Sequence, residues 1–64
     1  MRLRYLGQVT TSMKLLSIAE DLLGERKIFG AHLFAWRAWH TASRERNPGV
    51  QREAERVIRS LPRS

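Results

Sequence analysis

Trp36, Arg37, His40 and Arg44 fall on one side of an otherwise apolar run, and they are the residues of this 64-residue chain best suited to recognition chemistry. At 100° per residue they share an arc of a helix with Phe29 and Leu33. Arginine offers a planar fork of donors that grips phosphate or carboxylate in two places. Tryptophan stacks on an unpaired base, and histidine adds hydrogen bonds. Arg46, just beyond the run, and Arg2 and Arg4 near the start extend the set of candidate phosphate or partner contacts. Phe29, Leu33 and Trp39 are candidate interface residues, and Phe29 and Trp39, with Trp36 and Arg37, are of the types enriched at binding hot spots.

Other chemistries lack their residues. His32 and His40 are eight positions apart and point about 80° apart around a helix. Paired metal ligands on one helix need a spacing of three or four, and no carboxylate lies one turn from either histidine within this segment. No metal site and no cofactor is expected. There is no nucleophile elbow and no glycine-rich phosphate loop, and Glu20-Asp21 reads as a solvated acidic pair. The expectation is a protein that is not an enzyme and has no small-molecule substrate.

Charge narrows the partner. Twelve Lys/Arg against six Asp/Glu leave a formal charge of +6. Ten of the twelve cations are arginine, and residues 33–64 carry seven of these against three Glu. Such a balance favours nucleic acid or an acidic protein surface. A membrane surface is a weaker fit, although Trp, Phe and Arg on one arc do suit an interfacial helix. The apolar run is about twelve residues, too short for a span, which needs about twenty. Without cysteine, no disulfide framework can staple the fold. The basic, Ser/Thr-containing start has some transit-peptide character, but it reads better as the arm of a cytoplasmic protein.

These side chains must be positioned by helices, and the pattern predicts an all-α three-helix bundle over about 12–23, 28–44 and 48–61. Residues 1–11 form a short basic N-terminal arm or strand, and 12–64 form one helical domain. Thr10-Thr11-Ser12 supplies N-cap candidates for the first helix. Leu15, Leu16, Ile18, Ala19, Leu22 and Leu23 form its apolar face, and Gly24 is placed to end it in the left-handed conformation. In the second helix Ala31, Ala35, Ala38 and Ala42 make a seam of methyl groups opposite the aromatic and cationic arc. Asn47-Pro48 is a strong start for the third helix, whose stripe is Val50, Ala54, Val57 and Leu61. That stripe is expected to pack against the alanine seam, making helices 2 and 3 an antiparallel hairpin. Glu53–Arg56 and Glu55–Arg59 are spaced for ion pairs on its outer side. Pro62 stops the helix, and Arg63-Ser64 trails it.

Two DNA-binding layouts bear on the basic arm. The segment Ile18-Ala19-Glu20 with Leu23-Gly24 resembles the first helix and turn of a helix-turn-helix, but the following segment lacks a polar recognition helix. A basic alternating start followed by two helices resembles ribbon-helix-helix repressors. That resemblance implies Arg2, Arg4 and Gln8 as base readers and an obligate dimer, while Leu6 on the reading face and Gly7 on the core face depart from it. A domain this small buries only about 60% of its unfolded surface. Either the first helix or a second copy must then cover the aromatic ridge, and a homodimer is the favoured solution. The expected function is a small regulatory protein that binds nucleic acid through its arginines. The alternative is a helical regulator, inhibitor or assembly factor acting on a protein partner through the aromatic and arginine face.

Overall fold

The computed structural model describes residues 9–61, and within them the chain forms three helices: α1 (Thr11–Gly24), α2 (Ile28–Glu45) and α3 (Pro48–Ser60). The basic arm with Arg2, Arg4 and Gln8, the Pro62 stop and the tail at 63–64 lie outside the described residues. The architecture is the all-α three-helix bundle that the apolar periodicity implies, with α2 and α3 as an antiparallel hairpin.

Two of the three helix starts have a local cause, whereas Lys27 at the start of α2 makes no side-chain cap bond. Thr10 caps α1, its Oγ1 accepting from the Met13 N–H at 3.3 Å. Asn47 caps α3, its Oδ1 accepting from the Val50 N–H at 3.4 Å, and Pro48 occupies the first turn, where a missing N–H costs nothing. At the other end of α3, Leu61 has ψ 142°, the extended conformation that a following proline imposes.

The first interhelical turn differs from expectation, and the second closes with the same geometry. Gly24 is the last residue of α1 and has no positive φ; the left-handed residue is Arg26, with φ 62°. The Arg26 N–H bonds to the Leu23 carbonyl at 2.9 Å and the Lys27 N–H to the Leu22 carbonyl at 2.8 Å, which together make a Schellman turn. α2 ends the same way: Arg46 has φ 58°, its N–H reaches the Ser43 carbonyl at 3.2 Å, and the Asn47 N–H reaches the Ala42 carbonyl at 2.9 Å. The six-to-one bond fixes the turn, and whichever residue sits one before its donor must take the positive φ. In both turns that residue is arginine.

The core is thin and lined by small side chains. Ala31, Ala35, Ala38 and Ala42 of α2 are all fully buried. Leu16 and Ala19 from α1, with Ala54 and Val57 from α3, pack with Ala35 and Ala38 in one cluster. Leu61 is also buried, whereas Val50 and Ile58 are half-buried at its edge. The α1 stripe is narrower than its sequence pattern, because Ile18 is exposed. Gly30 has a packing role: a Cβ there would lie 3.2 Å from Leu22 Cδ1, so its absence lets α1 approach α2 closely.

Two polar contacts tie the helices together. The fully buried Ser12 hydroxyl donates to Glu45 Oε1 at 2.6 Å, and the Ser12 N–H points at Oε2 at 3.4 Å. Glu45 thereby places a carboxylate at the N-terminus of α1, whose own first turn has no acidic residue. Between α2 and α3, the Trp39 indole N–H donates to Glu55 Oε2 at 3.0 Å.

Candidate functional site

α1 and α3 both pack on the alanine side of α2, so the opposite side is left uncovered within this chain. Phe29 is 86% exposed, Leu33 52% and Trp36 41%. Arg37, His40 and Arg44 are exposed on the same side, and Arg46 is exposed at the turn that follows. The structure thus places six of the ten site and interface residues read from the sequence exposed along one side of α2, namely Phe29, Leu33, Trp36, Arg37, His40 and Arg44, with Trp39 beside them at the α3 edge and Arg46 in the turn that follows. Trp39 is the least accessible aromatic of this group, being half-buried at the edge of α3. Arg2 and Arg4 lie outside the described residues.

The aromatic rings form a connected strip. Trp36 meets Trp39 edge-on at 5.8 Å between ring centres, and His40 packs against Trp39 at 5.2 Å and Trp36 at 5.7 Å. One turn towards the start of α2, the Trp36 indole N–H donates to His32 Nε2 at 2.7 Å. That bond requires Nε2 to be unprotonated, and it holds the indole along the helix. The Trp36–His32 pairing is absent from the sequence reading, although its four-residue spacing is the signal that points to it. Glu55 likewise turns to Trp39, and among the described residues it makes no ion pair with Arg59; Glu53 and Arg56 do pair, at 3.5 Å. Trp39 therefore joins α2 to α3, whereas Trp36 presents its ring outward.

The electrostatics of this face are one-sided. α2 contains a single carboxylate, Glu45, and its bonds to Ser12 direct it towards α1. The Ser12 hydroxyl holds its carboxyl below the ordinary glutamate value, with desolvation opposing and further bonds from Thr10, Ser12 and Thr11 reinforcing the shift. Among the described residues neither Arg37 nor Arg44 pairs with a carboxylate. The Arg37 guanidinium lies over the Phe34 ring, 5.9 Å from its centre. On the far side of the bundle, a shallow apolar groove between α1 and α3 runs past Met13, Leu16 and Val50 and is rimmed by Glu20 and Glu53. Glu53 is itself paired with Arg56, so that groove is close to neutral.

Among the described residues no group of three or more His, Cys, Asp or Glu side chains is gathered to hold a metal ion. No helix there is long and apolar enough to cross a membrane. Fold and face together define a small helical bundle with one exposed aromatic and cationic surface. The chain matches no protein-family model, no curated protein and no solved structure.

Proposed function

We propose that this chain is a non-catalytic, cytoplasmic regulatory protein that binds nucleic acid through the outward face of α2. The observation that carries the reading is that face itself: Trp36, Arg37, His40 and Arg44 stand exposed on it, with no carboxylate directed to it from α2. Arg46 extends the footprint at one end, and Arg2 and Arg4 of the arm add cations. Cations that neutralise phosphates release the counterions condensed on them, and that release drives binding.

Salt titration tests the reading. If Arg37, Arg44 and Arg46 each neutralise one phosphate, log affinity should fall with log salt at a slope of roughly −2 on a single strand. Replacing Arg44 and Arg46 together by alanine should flatten that slope by roughly 1 to 2 and weaken binding across sequences. An affinity indifferent to salt, or to the double substitution, overturns the footprint.

A second reading rests on Phe29, Leu33 and Trp36, which together expose more apolar surface than phosphate contacts need. An acidic protein partner could cover them. Capture from the native host with and without nuclease separates the two, since only a protein partner survives nuclease. A homodimer through the same face would bring Arg37 and Arg44 of both copies into one interface lacking an offsetting carboxylate. The charge therefore favours an anionic occupant over a second copy, and sedimentation over a concentration series measures the balance.

A further inference from the structure

We infer that the outward face of α2 takes single-stranded nucleic acid, with Phe29 and Trp36 as two stacking platforms for unpaired bases. The inference rests on the nucleic-acid reading above and goes past it by naming the form of the ligand.

The phosphate contacts alone do not distinguish a duplex from a single strand; the apolar side chains do. Phe29 is the most exposed large apolar side chain among the described residues, and Trp36 follows two turns later on the same arc. At 1.5 Å per residue their positions are about 10 Å apart along the helix axis. In a duplex the base faces are covered by their neighbours at a spacing of about 3.4 Å, so two separate rings could stack only after the helix was opened. An extended single strand offers base faces at wider spacing, and aromatic stacking on them is indifferent to base identity. Phe29 is almost wholly in solvent, so its ring face is open to such a base.

The cations are placed to match. Arg37 follows Trp36 directly, Arg44 continues along the same side of α2, and Arg46 is exposed in the turn that ends the helix. Bases on Phe29 and Trp36 would thus be followed by backbone on Arg37, Arg44 and Arg46, giving the strand a direction along the helix. The indole is also held ready: its N–H is bonded to His32 and its ring packs against Trp39 and His40, so little freedom remains to be lost on stacking.

The test compares a short labelled single-stranded oligonucleotide with the duplex of the same sequence, by fluorescence anisotropy on the full chain. The single strand should bind more tightly. Phe29→Ala and Trp36→Ala should each lose about tenfold in single-strand affinity with the salt slope unchanged, and Trp36→Phe should retain most of it. Phe29→Ala is the variant least able to disturb the fold, because its ring is almost wholly in solvent. Equal, salt-dependent binding of single strand and duplex would overturn the stacking inference and leave the nucleic-acid reading standing. So would a Phe29→Ala variant that binds as the unmodified protein does. Failure of both probes to show salt-dependent binding would overturn the nucleic-acid reading itself.

Discussion

Moving the glycine of the first interhelical turn should stabilise the protein. Gly24 spends its conformational freedom inside α1, while Arg26, two residues on, takes the left-handed conformation at φ 62°. The variant is Gly24→Ala combined with Arg26→Gly. An L-residue in the left-handed region costs roughly 1–2 kcal/mol. Glycine removes that cost but loses about 0.5–1 kcal/mol to its greater freedom in the unfolded chain. Arg26→Gly alone should therefore gain about 0.5–1 kcal/mol. Alanine exceeds glycine by about 1 kcal/mol in a helix interior, and about half of that applies at the last helical residue. Space is not limiting, since a Cβ on Gly24 meets nothing within 4 Å. Together the exchanges should give about 1–1.5 kcal/mol, and at roughly 4–8 °C per kcal/mol for so small a domain, Tm should rise by about 5–10 °C. Far-UV circular dichroism during thermal and urea unfolding reads the change. The single variants should be measured beside the double, because positions in one turn need not add. A lower Tm for Gly24→Ala would refute the reasoning, since it would mean that Gly24 carries the left-handed turn after all.

Two further outcomes follow from the polar ties between helices. Glu45 is held below its ordinary pKa in the folded state, so the stability it contributes is present above about pH 4.5 and is lost as pH falls through the lowered value. Ser12→Ala removes the largest cause of that shift along with a fully buried hydroxyl; it should cost about 1–2 kcal/mol at neutral pH and shrink the acid-induced loss, both visible in urea midpoints against pH. Trp39→Phe loses the bond to Glu55 and should cost about 1 kcal/mol, whereas the exposed Trp36→Phe should stay within about 0.5 kcal/mol. Equal losses for the two tryptophans, by thermal unfolding, would contradict their division into a helix tie and an exposed ring.

How much could be read from residue order varies with the range of the interaction. The α3 start is legible because Asn47 and Pro48 act on their own backbone, and the alanine seam is legible because a helix turns 100° per residue whatever surrounds it. The left-handed turns are less so. Gly24 is the obvious residue for positive φ, yet the register of the Schellman bonds puts that φ on Arg26. Ile18 belongs to the apolar pattern of α1 and still faces solvent, because the methyl-lined seam of α2 is covered by Leu16 and Ala19 at close range.

The candidate face divides in the same manner. Residue order alone determined that Phe29, Leu33, Trp36, Arg37, His40 and Arg44 share one arc of a helix, and that the chain is strongly basic. It could not determine whether α1 would cover that arc, since α1 is apolar enough to pack on either side of α2. Only the tertiary structure decided this: small alanines allow both neighbours to approach closely on one side, and the Ser12–Glu45 and Trp39–Glu55 bonds hold them there. The aromatic and cationic arc is left in solvent because the close-packed side of α2 had already taken both partners.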